Sequence, residues 1–179
     1  MNPELALQLA VAVPALGAVL VAFTGRWPNL REAVTLLTGA VLLGVVVSLL
    51  PHVLAGQTPR VVLLETLPRL PLALKVEPLG MMFALIASLL WIVTSIYSIG
   101  YMRAHHEENQ TRFYAAFAVA IASTMGVAFA GNMFTLFLFY EALTISTYPL
   151  VAHHGTEEAR RGGRTYLGIL ISTSIAFQL

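Results

Sequence analysis

The sequence predicts an all-α integral membrane fold of about six transmembrane helices, the last incomplete, with a short β-hairpin in the loop between helices 2 and 3. Three observations predict it. Of 179 residues, 58% are hydrophobic and 11% charged, with a mean hydropathy of +0.78, where a soluble domain carries about 25% charged residues. Five apolar runs each approach the roughly 20 residues that cross about 30 Å of hydrocarbon as a helix. Between the second and third runs lies a segment of period two, the signature of a strand. No repeat, low-complexity tract or linker divides the chain, so residues 1–179 read as one membrane domain.

The first run, 5–23, lies in MNPELALQLAVAVPALGAVLVAF. It has no basic n-region and no clear small-residue cleavage site, so it reads as a retained helix and not a signal peptide. The second run covers 33–50 or a little beyond. In the following loop, RLPLALKVE sets Leu70, Leu72, Leu74 and Val76 on one side and Arg69, Pro71, Ala73, Lys75 and Glu77 on the other. That alternation predicts a half-buried strand with residues 60–67 as its hairpin partner, and Pro71 marks an edge. Glu77-Pro78 then opens the third run, 79–101: proline suits the first helical position and an acid suits the positive end of the helix dipole.

The fourth and fifth runs, 113–130 and 133–152, are separated by the Gly131-Asn132 turn. A sixth starts at Tyr166 and is still apolar at Leu179; its 14 residues cover roughly 21 Å as a helix, short of a full span. The sequence therefore reads as interrupted, either a fragment or one piece of a split subunit.

Charge sets the expected orientation. Arg26 and Arg31 fall in loop 1–2, Arg103 and Arg112 in loop 3–4, and Arg160, Arg161 and Arg164 in loop 5–6. The opposite side holds Arg60, Arg69 and Lys75. The positive-inside rule puts the first seven in the cytoplasm and the N-terminus outside, as in a multi-pass protein of the cell inner (plasma) membrane. A net charge of +1 with scattered basic residues argues against nucleic acid as a partner. The absence of cysteine removes disulfides, thiolate catalysis and cysteine metal sites.

The strongest chemical signal is Glu141, inside TLFLFYEALTISTYPLVAHH. It lies nine residues past Asn132, roughly 13 Å along a helix axis. An ionised carboxylate at that depth costs about 2.5–3.5 kcal/mol on insertion scales, so it has to face the protein interior, find a partner or take up a proton. Such acids commonly mark proton or ion routes; the plainer alternative is a neutral Glu that serves packing alone. Phe134, Phe137, Leu138, Glu141, Thr144 and Tyr148 share one helical face, and Thr144 and Tyr148 put hydroxyls on the stripe of the acid. Ser146 and Thr147 add polar positions beside it. Pro149 frees the carbonyl of Ile145, one turn beyond Glu141, where a water or a simple packing kink fits equally.

Neither His105-His106 nor His153-His154 has metal-ligand spacing, since adjacent helical residues diverge by about 100°. Both pairs, with His52, read as interfacial; His153 and His154 keep interest as proton acceptors at the cytoplasmic end of the Glu141 helix. The EEARRGGR run reads as a solvated loop. No phosphate loop, nucleophile elbow or zinc site is present, and neither a metal nor a cofactor is expected.

Two segments, GNMFTLFLFYEALTISTYPLVAHHGTEEARRGGRTYLGILISTS and VEPLGMMFALIASLLWIVTSIYSIGYM, carry a family resemblance over residues 71–179. They resemble the antiporter-like, proton-translocating subunits shared by Mrp-type cation/proton antiporters, respiratory complex I and membrane-bound hydrogenases, and look most similar to the D-type antiporter subunits. The resemblance implies about fourteen helices in two inverted five-helix repeats. It also implies that the acid at Glu141 pairs with a lysine on the seventh helix to switch proton transfer along a hydrated mid-membrane axis. Position 77 is Glu where such proteins usually have Asp. The only lysine, Lys75, lies in the hairpin loop, so a cationic partner for Glu141 is expected from elsewhere.

The expected function is proton translocation or cation/proton antiport within a multi-subunit complex. Its expected partners are other membrane subunits, the lipid bilayer, H⁺ and a cation such as Na⁺. Alone the chain is not expected to be catalytic; it would serve a redox-driven pump or a secondary antiporter. The alternative is a non-transporting scaffold that docks neighbouring subunits.

Overall fold

The computed structural model describes residues 2–67, 70–153 and 156–178. Arg69, His154 and Leu179, each named above, lie outside the described residues. The element order is α1 (Pro3–Phe23), α2 (Pro28–Leu54), β1 (Arg60–Leu67), β2 (Leu70–Lys75), α3 (Pro78–Ala104), α4 (Gln110–Ala128), α5 (Met133–Val151) and α6 (Glu157–Gln178). The helices α1 to α5 are long and apolar enough to cross a membrane. Proline opens α1, α2 and α3, where its missing N–H costs nothing.

The sixth helix differs from expectation. It starts at Glu157, so the EEARRGGR run forms its first turns and not a loop. Glu157 and Glu158 sit in the first turn, where carboxylates meet the positive helix end. Most of these side chains stay exposed.

Helices α1 to α4 pack in a ring, α5 packs on α4, and α6 on α5. Leu7 and Ala10 of α1, Leu42, Val46 and Leu49 of α2, Ala84 and Trp91 of α3, and Ala118 and Met125 of α4 meet in one core, capped by Leu74 and Val76. Helix α3 mixes serines with Met81, Ala84, Trp91 and Met102 on its buried face. It buries Ser88, Ser95 and Ser98 while Leu79, Met82, Phe83, Ile86, Leu90, Val93 and Ile96 are exposed. Serines facing neighbouring helices and a row of large apolar side chains facing outward fit a lipid environment. At its far end Tyr97, Tyr101 and His105 stack in succession, with centroids 6.1 Å and 4.2 Å apart, consistent with interfacial aromatics.

The two ends of the bundle are distinct. At the arginine end, Arg31 Nη2 donates to Gln110 Oε1 at 2.7 Å and Arg103 Nε donates to Glu32 Oε1 at 3.1 Å. Arg112 Nη2 donates to the His153 carbonyl at 2.9 Å. These bonds gather the segments α1–α2, α3–α4 and the end of α5 on one side. At the other end sits the hairpin, with Arg60 paired to Lys75 and Val62 to Ala73.

The clean alternation expected in β2 is absent. Leu70 is exposed and both Ala73 and Leu74 are buried. The reason is a third segment. Lys75 N–H donates to the Phe129 carbonyl at 2.7 Å and Gly131 N–H to the Ala73 carbonyl at 2.8 Å, so residues 129–131 line the free edge of β2, with Leu74 and Ala130 forming an antiparallel bridge. Glu77 precedes α3 without a capping bond from its side chain; it accepts instead from Lys75 Nζ at 2.8 Å.

Candidate functional site

Helix α5 opens at Asn132, whose Oδ1 accepts from Thr135 N–H at 2.7 Å, a side-chain cap that satisfies one free amide of the first turn. The helix then runs through Pro149 to Val151. Glu141 lies eight residues beyond Met133, about 12 Å along a helix of about 28 Å. It is half-buried. Three residues of α5 are fully buried, Thr135, Thr144 and Ser146, all bearing hydroxyls. Ser146 and Thr147 turn theirs back to the carbonyls of Leu143 and Thr144.

The Glu141 side chain meets α6. Ser174, buried at 6% exposure, donates its hydroxyl to Glu141 Oε1 and also lies 3.0 Å from the carbonyl oxygen of Ile171. Two turns along α5, the ring of Tyr148 lies against Gly163 of α6, where an added Cβ would stand 3.0 Å from Tyr148 Cε2. Of the stripe expected from sequence, α6 meets Glu141 and Tyr148, while Leu138 is exposed.

The sequence did not single out Ser174. Its signal was the polar trio in ILISTSIAF, and only the packing of α6 shows which of the three reaches the acid. Lys75 is not a partner for Glu141, because it pairs with Glu77 at 2.8 Å in the hairpin segment.

His153 sits twelve residues past Glu141, about 18 Å along the helix. Its Nε2 is 3.8 Å from Glu107 Oε2 and its ring lies edge-on to Phe113 at 5.7 Å. The structure thus does not bring His153 to the acid; it places it among loop residues of the arginine end. Among the described residues, no three His, Cys, Asp or Glu are grouped to hold a metal ion.

A second polar cluster was missed by sequence reasoning. Glu32, 5% exposed, accepts from Arg103, which also donates to Asn29 Oδ1 at 2.6 Å. Beside it Arg31, 4% exposed, donates to Thr111 Oγ1 at 3.1 Å and lies 5.3 Å from the centroid of the Tyr114 ring. Arg31 and Arg103, counted above as loop charges, are interhelical ties.

Comparison with known proteins supplies the context. Residues 67–114, from the hairpin into α4, match the family model described as NADH-Ubiquinone oxidoreductase (complex I), chain 5 N-terminus. The chain is 27% identical over 172 residues to a probable K(+)/H(+) antiporter protein of the A/B type from Rhizobium meliloti (strain 1021), covering 93% of this chain and 17% of that protein. It is thus similar to proteins described as antiporter subunits. A second relative, the putative antiporter protein mnhA2 of Staphylococcus aureus (strain MRSA252), is 29% identical over 80 residues, 45% of this chain and 10% of that one.

Both of these antiporter-like relatives carry an A or A/B label, where the sequence resemblance pointed to the D type. The fold matches a chain of the membrane-bound sulfane sulfur reductase, an archaeal respiratory membrane complex. That match has a TM-score of 0.74 at 18% identity and covers 90% of this chain and 33% of that one. The chain thus spans about a sixth of the Rhizobium relative and a third of the solved chain, and Glu141 lies outside the residues of the family match. Its apolar helices and its relatives make it a multi-pass membrane protein.

Proposed function

We propose that the chain moves protons, in exchange for a cation such as Na⁺ or K⁺, within a multi-subunit complex of an energy-coupling membrane, with Glu141 as the group that takes up and releases the proton. The observation that carries this reading is the contact of Glu141, on the apolar helix α5, with the buried Ser174 of α6. The names of its relatives agree with it.

Ser174 suits both states of such an acid. When Glu141 is ionised, the Ser174 hydroxyl donates to the carboxylate. When Glu141 holds a proton, its O–H donates to Ser174 Oγ, and the serine hydrogen turns to the Ile171 carbonyl at 3.0 Å. Each state keeps its hydrogen bonds, so a proton can arrive and leave without stranding a buried polar group. Thr144 and Tyr148 extend the hydroxyl-bearing stripe toward the arginine end, with His153 and His154 beyond as entry groups on the cytoplasmic side. In this reading the N-terminus is outside. The cation that drives proton release from Glu141 is a lysine of another segment or another chain.

The test is Glu141→Gln in the complete complex, reading proton and cation flux in vesicles. Gln keeps the volume and a hydrogen bond to Ser174 but carries no exchangeable acid proton, so flux is expected to fall to background. Flux equal to the parent would sink the transport role of Glu141 and leave the scaffold reading standing.

A further inference from the structure

Helix α5 is the least buried of the five apolar spans: 17% of its most apolar window is buried, against 28% or more in the others. Met133, Leu138, Ile145 and Val151 are all exposed. Its middle rests on one side, where Phe139 lies against Gly126 of α4, while its outward side is uncovered. A turn of one residue about the axis, about 100°, would carry Glu141 off α6 and away from Ser174.

To that packing the N-terminus adds directional bonds. Thr135, fully buried, accepts through Oγ1 from the Ala73 N–H of β2 at 3.0 Å. Asn132 Nδ2 donates to the Pro71 carbonyl at 2.7 Å while its Oδ1 caps the helix. With Gly131 N–H on the Ala73 carbonyl, three hydrogen bonds tie the start of α5 and the two residues before it to one strand. These bonds are directional, and a helix transmits a rotation at its end along its length.

We infer that the hairpin fixes the rotation of α5, which makes Asn132 and Thr135 positioning residues for Glu141; the inference rests on Glu141 being the proton carrier. Neither residue touches the acid. Thr135 lies six residues before it, about 9 Å along the axis, so its effect runs through the helix.

The test uses the complete complex and reads flux in vesicles. Thr135→Val keeps the shape and removes the acceptor for Ala73 N–H; flux is expected to fall about fivefold, the factor carried by one buried hydrogen bond. Thr135→Ser restores the acceptor and is expected to restore flux. Asn132→Asp keeps the helix cap and sets a carboxylate oxygen against the Pro71 carbonyl in place of the donor, so it serves if Thr135→Val fails to assemble, with at least the same expected loss. In combination with Ser174→Ala, Thr135→Val should add little, because both act through one contact. Parent-like flux in Thr135→Val or Asn132→Asp, beside lost flux in Glu141→Gln, would overturn the positioning role alone. Additive losses in the double variant would overturn it too, and parent-like flux in Glu141→Gln would remove the reading on which it rests.

Discussion

The hydroxyl of Ser174 on α6 donates to the carboxylate of Glu141 on α5, and it is the contact that turns a lone membrane acid into a site. Replacing Ser174 by Ala leaves Glu141 in an apolar interface without that donor, at a cost of about 1–3 kcal/mol for an unsatisfied buried group. Flux in the assembled complex is expected to fall by about tenfold, less than for Glu141→Gln. Ser174→Thr keeps the hydroxyl and is expected to retain most of the flux. If Ser174→Ala transports like the parent, the hydroxyl has no part in proton transfer.

A second prediction concerns the seam between α3 and α4. At Gly80, an added Cβ would stand 2.0 Å from the carbonyl oxygen of Ala128. That oxygen is backbone at the end of α4, where residues 129–131 are bound to β2, so it has little room to give. Gly80→Ala is expected to cost about 1–3 kcal/mol, as overpacking does, and to lower the thermal unfolding midpoint in lipid or detergent. Gly100→Ala on the same helix meets open space and is the control, with an unchanged midpoint expected.

Five apolar runs were legible as helices because hydrocarbon thickness fixes both length and composition. Proline at its start marked α3 to the residue. Period two disclosed the hairpin, yet its burial pattern failed at Leu70 and Ala73 because residues 129–131 cover one edge, a pairing between segments far apart in the chain. Glu141 was legible because an acid in an apolar run is costly. Ser174 was not, since a serine in a membrane helix commonly bonds its own backbone and looks the same whether or not it faces an acid. Glu32 was hidden for a different reason: near a helix start it resembles an ordinary surface charge, and only the packing of α2 against α3 buries it.

Glu32 carries the third prediction. It accepts from Arg103 and lies 3.7 Å from Arg31, so two cations share this carboxylate. Glu32→Gln leaves the buried Arg31 facing Arg103 without an intervening anion. Stability is expected to drop by about 1.5–3 kcal/mol, the range for hydrogen bonds to a charged group. Arg103→Gln is expected to cost less, because Arg31 still faces Glu32 and the Arg103 side chain is half exposed. Chemical unfolding of the two variants in the same lipid orders them, and a larger loss for Arg103→Gln would refute the assignment of Glu32 as the centre of the cluster.

The last prediction concerns how α5 is seated on α4. An added Cβ at Gly126 would stand 2.2 Å from the ring of Phe139, both at Cγ and at Cδ1, so the ring lies flat on the backbone of α4 two residues before Glu141. Gly126→Ala pushes that ring away and is expected to lower stability by about 1–3 kcal/mol and to lower flux with it. Phe139→Leu alone loses ring contacts and also destabilises. Combined, the smaller side chain vacates the space the new methyl group needs, so the double variant is expected to be more stable than the sum of the two losses by about 1 kcal/mol. Additive losses, measured by unfolding the four proteins side by side, would mean that the ring does not press on Gly126 and that α5 takes its depth from another contact.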